Sequence, residues 1–100
     1  MLGLAARAGC VVSGETGTQK AIKSGKAYLV IIAEDASANT TKKFQNSCEY
    51  YEVPIAVFGT RDELGEAIGK EFRSSLAITD ENLAKAVAGK LDVRPSMEIV

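Results

Sequence analysis

A chain of 100 residues with 46% hydrophobic and 25% charged side chains, nine glycines and two prolines has room for one core. Its composition is that of an ordinary globular domain, not of a disordered, collagenous or membrane-embedded chain. Twelve basic against thirteen acidic residues leave a net charge of −1, which excludes a lysine-coated, sequence-blind nucleic-acid binder and makes any nucleic-acid site local. No histidine is present and the two cysteines, Cys10 and Cys48, lie far apart, so neither a four-ligand zinc site of soft donors nor an imidazole-based triad is available.

The opening MLGLAARAGC is apolar and ends like a lipoprotein cleavage site. Arg7 stands where such a site wants an apolar residue, no basic lead precedes it, and the stretch is too short for a signal peptide. No run approaches the roughly 20 apolar residues of a membrane span. A cytoplasmic protein with reduced thiols is expected, Cys48 packing as a small hydrophobe.

Gly9 to Ser13 reads as a short strand, and SGETGTQKAIKSGKA after it as a helix start. Thr16 followed by Gln19 is a capping-box pattern, Ser13 competes as the cap one turn earlier, and Gly25 marks the end. The continuous apolar run Tyr28 to Ala33 suits a strand buried on both faces. Phe44, Cys48 and Tyr51 recur at helical spacing before a strand within Val53 to Gly59. Thr60 to Glu63 is a capping box opening a helix with Leu64, Ala67 and Ile68 on one stripe. Ser75 to Thr79 is the last strand, and Thr79 to Asn82 places a cap before a helix carrying Leu83 and Val87. Past Leu91 the segment DVRPSMEIV loses its period, giving one domain over residues 1–91 and a tail over 92–100. The alternation points to an α/β sandwich with helices on both faces of a small mixed sheet.

Chemistry concentrates in the first half. From Arg7 to Lys26 the chain carries Arg7, Lys20, Lys23 and Lys26 against Glu15 alone. Read as a Walker A loop from Gly14, the stretch has Gln19 where a second glycine must stand and Ala21 where a hydroxyl must bind magnesium. The spacing of Gly14 and Gly17 does not fit a dinucleotide fingerprint either. What remains is a helix N-terminus whose open N–H groups attract anions, with Lys20 and Lys23 on one face and Ala21 and Ile22 turned to the core. Contacts of that kind position a nucleic-acid backbone without reading its sequence. Glu34 and Asp35 close the long strand and admit two readings: ligands for a divalent cation, or the start of the next helix with Asp35 or Ser37 as cap.

The phrases LGLAARAG (Leu2 to Gly9), VSGE (Val12 to Glu15), KAIKSGKAYLVIIAEDAS (Lys20 to Ser37), CEYYEVP (Cys48 to Pro54), ELGEAIGK (Glu63 to Lys70) and LAITDENLAK (Leu76 to Lys85) cover nearly the whole chain. In this order they resemble the L7Ae/L30e family of ribosomal and kink-turn RNA-binding proteins, most of all its bacterial YlxQ branch. The resemblance implies a three-layer α/β/α sandwich with a small mixed four-stranded sheet, and structured RNA as partner. It places the RNA on the helix start Gly14 to Lys20 and on the loop from about Glu71 to Ala77, where Arg73, Ser74 and Ser75 suit phosphate, ribose hydroxyl and an unstacked base. Kink-turn binders of this family carry Asn-Glu where this chain has Thr16 and Gly17. Gly17 has no side chain to read a base but admits a close backbone, so a shape- and phosphate-recognising site is expected, weak towards standard kink-turns.

The expected function is therefore that of a non-enzymatic structured-RNA-binding protein tied to the ribosome or translation, without cofactor, metal or membrane. Its RNA-binding residues are expected to be Gly14, Glu15, Thr16, Gly17, Thr18, Lys20, Lys23, Glu34, Arg73, Ser74 and Ser75. Ribosomal or translation proteins are candidate further partners. The alternative is a protein-interaction module with a degenerate RNA site.

Overall fold

Every second residue of the longest apolar run faces the same layer of the molecule, and that alternation organises the fold. In a computed structural model, which describes residues 9–88, the strands are β1 (Val11–Ser13), β2 (Leu29–Ile32), β3 (Ile55–Val57) and β4 (Ser75–Ile78). The helices are α1 (Glu15–Lys23), α2 (Ala38–Tyr51), α3 (Arg61–Ala67) and α4 (Glu81–Ala88). The first expected phrase up to Ala8, with Arg7, and the expected tail over 92–100 lie outside the described residues.

The four strands form one mixed sheet in the order β1-β4-β2-β3. β2 and β3 are parallel, with Val30 beside Ile55 and Ile32 beside Val57, and α2 supplies the crossover that a parallel pair needs. β4 runs antiparallel to both neighbours, Leu76 lying beside Ser13 on one side and Ile31 on the other.

On β2, Val30 and Ile32 join Ala21, Ile22, Phe44 and Cys48 in a core beneath α1 and α2. Leu29 and Ile31 join Leu64, Leu76, Ile78, Ala84 and Val87 in a second core beneath α3 and α4. The sheet is thus covered on both faces, the three-layer α/β/α sandwich with a mixed four-stranded sheet. Burial of each large aliphatic side chain in these cores is worth about 1.5–3 kcal/mol, an upper figure because the unfolded chain is already partly collapsed.

The helix starts follow their sequence signals where the cap is local. Ser37 accepts from the Thr40 N–H at 3.1 Å, and Thr60 and Glu63 complete a reciprocal capping box. Asp80 accepts from the Leu83 N–H at 2.9 Å. Tyr51 and Ala67, assigned above to apolar stripes, are exposed instead. Each is the last residue of its helix.

Candidate nucleic-acid interface

The register puts the ends of β1, β2 and β3 and the beginning of β4 at one end of the sheet. Four segments far apart in sequence meet there and are stitched by main-chain bonds. The Gly14 N–H donates to the Ser75 carbonyl at 3.1 Å, Ala33 to Ser74 at 2.9 Å, Glu34 to Gly59 at 2.7 Å, and Arg73 to Arg61 at 3.0 Å.

The start of α1 differs from both expected caps. Gly14 itself is the N-cap, at φ 85° and ψ 160°, and no side chain caps the helix. The bond to Ser75 draws the chain into a left-handed conformation that suits glycine, and Ser13 is engaged elsewhere, its hydroxyl accepting from Arg73 Nε at 3.1 Å. Thr16 sits in the first turn, exposed. The N–H groups of that turn, which no capping side chain takes up, are left to a ligand.

Glu15, on the same turn, is held by Lys43 of α2, Nζ lying 2.7 Å from Oε1. This answers a charge problem invisible in the local sequence, because an unpaired carboxylate there would repel a phosphate. Arg73 donates through Nη1 to the Phe72 carbonyl at 2.9 Å, and the Arg61 guanidinium lies 5.6 Å from the centre of the Phe72 ring. Phe72 is 58% exposed, with one cation set against its ring.

Two open grooves result. One, of about 370 Å³, runs between the helix start and the loop before β4, past Ser13, Gly14, Glu15, Phe72, Arg73 and Ser74. The other, of about 620 Å³, lies between α1 and α2, past Glu15, Thr16, Gln19, Lys20, Lys23, Lys43 and Ser47.

Not every expected contact residue reaches these surfaces. Thr18 and Ser75 are fully buried, their hydroxyls 3.4 Å apart, because α1 lies directly on the start of β4. They seat the helix rather than present groups to a partner. A Cβ on Gly17 would come within 2.7 Å of Val12 Cγ1, so the missing side chain makes room for β1 and not for a nucleic-acid backbone. Glu34 is exposed at the same end of the sheet but lines neither groove. Asp35, its neighbour, is used by Arg61, whose N–H it accepts at 2.8 Å and whose Nε lies 3.6 Å away, while Ser37 caps α2. Among the described residues no cluster of three or more His, Cys, Asp or Glu is placed to hold a metal, and no helix is long and apolar enough to cross a membrane.

Sequence reasoning missed Lys43, Arg61 and Phe72. Only the third had a local signal, standing within the loop expected to approach β4.

A mixed sheet between two helical layers, with an anion-ready helix start at one end, defines a known class: the chain belongs to the ribosomal protein L7Ae/L30e/S12e/Gadd45 family, whose model matches residues 1–88. Among its relatives, the RNA-binding protein YlxQ of Bacillus subtilis is 47% identical over 92 residues, which is 92% of each chain. The large ribosomal subunit protein eL30 of Neurospora crassa is 45% identical over 85 residues, 79% of this chain and 74% of that protein. The solved structure of a 15.5 kDa RNA-binding protein from Giardia lamblia superposes with a TM-score of 0.79 at 26% identity, covering 91% of this chain and 81% of that one.

Proposed function

We propose that the chain binds structured RNA, without catalysing a reaction, in the cytoplasm and in association with the ribosome or the translation machinery. The observation that carries this reading is the groove at the end of the sheet, where the uncapped start of α1, Arg73 and the exposed Phe72 line one space. Open N–H groups and a guanidinium suit backbone phosphates, and an aromatic face beside a cation suits a base that has left its stack. A duplex offers no such base, whereas an internal loop or bulge does. The printed names of the Bacillus and Giardia relatives, both RNA-binding proteins, support the partner class, and that of the Neurospora relative supports the ribosomal setting.

Contact by main-chain N–H groups and lysines reads shape and phosphate more than sequence. With Thr18 buried and a Cβ at Gly17 excluded by Val12, the exposed hydroxyl that the helix start offers to a base edge is that of Thr16. Titration of RNA hairpins with and without internal loops, over a series of salt concentrations, tests the reading. Binding is expected to weaken with salt, and Lys20→Ala with Lys23→Ala to flatten the slope by about one unit per lost contact. Absence of binding to any hairpin at low salt would refute it. A protein partner captured equally well after nuclease treatment would favour an interaction module in which the RNA site has decayed.

A further inference from the structure

The α1–α2 groove has features that the groove at the sheet end does not need. Its walls carry Lys20 and Lys23 on one side and Lys43 on the other. Gln19, which also lines it, is only 9% exposed; its Oε1 accepts from the Ser47 hydroxyl at 2.9 Å, and its Nε2 has neither solvent nor a hydrogen-bond partner. A hydroxyl both donates and accepts, and an amide nitrogen without solvent access reaches no ligand, so the Gln19–Ser47 bond serves to tie α1 to α2 beside the groove. Three cations around one space fit an oxyanion.

The two grooves meet at Glu15, which lines both. The Glu15–Lys43 ion pair stands at that junction, with each side chain more than half exposed. A pair so open to water is weak, and a phosphate can compete with the carboxylate for Lys43.

We propose that the α1–α2 groove is a second phosphate subsite, in which Lys43, facing Lys20 and Lys23, holds the RNA backbone that continues past Gly14. This rests on the RNA-binding reading above and extends its footprint from the sheet end onto the helical layer.

The test must separate a grip on phosphate from mere neutralisation of Glu15. An RNA hairpin with an internal loop of tandem G·A pairs is titrated over a salt series against wild type, Lys43→Ala, Glu15→Gln and the Glu15→Gln/Lys43→Ala double variant. Lys42→Ala, one residue along and outside the groove lining, is the control. Lys43→Ala is expected to weaken binding roughly three- to ten-fold at low salt and to lower the salt slope by about one unit, and to do so equally in the Glu15→Gln background. If the effect of Lys43→Ala vanishes once Glu15 is Gln, or if wild type binds and Lys43→Ala matches it, the subsite is overturned while the sheet-end site stands. If wild type binds no hairpin, both fall together.

Discussion

Phe72 shows how a single side chain acquires a role through neighbours it cannot see in sequence. Its ring is held beside Arg61 while the Arg73 guanidinium bonds back to the Phe72 carbonyl, so an exposed aromatic is presented in a fixed place. Stacking of a base on such a ring is worth about 1–3 kcal/mol. Phe72→Ala is therefore expected to weaken binding of an internal-loop RNA by roughly five- to a hundred-fold, with little change for a plain duplex and none in the salt slope, because no charge is lost. Comparative filter-binding with the two RNAs checks this. Lys20 and Lys23 were legible as a shared helical face, since i and i+3 positions are neighbours by geometry alone. Lys43 was not, because its partner Glu15 lies 28 positions away and only the packing of α2 on α1 brings them together.

At the scale of elements, the loop before β4 is held in place by an absence. A Cβ on Gly65 of α3 would collide with the Glu71 carbonyl and come within 2.9 Å of Phe72 Cα, so the loop backbone lies directly on the helix. Gly65→Ala gains about 1 kcal/mol of helix propensity but forces the loop away, a displacement that costs more than the gain where backbone meets backbone. The expected outcome is a fall in melting temperature of several degrees together with weakened RNA binding, read by thermal denaturation and by titration of the same protein. The elements themselves were largely legible. The continuous apolar run and the Thr60 capping box are local signals, and both appear in the structure, with β2 buried over Leu29–Ile32 while Tyr28 at the start of the run is exposed. The cap of α1 was not, because Gly14 takes that position through a bond to Ser75, 61 residues on, which overrides the capping preference of Thr16 and Ser13.

For the whole molecule, the two cores set how stability responds to pH. Cys48, on the buried side of α2, is fully enclosed, and burial pushes its thiol up to about 12. In the unfolded chain a thiol ionises near 8.5, so between these values the unfolded state has released a proton that the folded state retains. Its contribution is fully present below about pH 8.5 and is lost as pH rises towards the folded value, at up to about 1.4 kcal/mol per unit. Denaturant melts at pH 7 and pH 10 are expected to show a larger loss for wild type than for Cys48→Ala, which starts lower because it leaves a small void. Equal losses in the two proteins would count against this assignment.

The groove at the sheet end is assembled from segments around residues 14 and 73, joined by the Gly14–Ser75 main-chain bond and the Arg73–Ser13 side-chain bond. No single stretch of the unfolded chain can reproduce it. An RNA that fits this groove is therefore a ligand of the native state alone, and mass action then adds about 2.7 kcal/mol of stability at a hundredfold excess over Kd. For a domain of this size that is a sizeable share of its total, so an RNA that fills the groove is expected to slow proteolysis of the domain as well as to bind it.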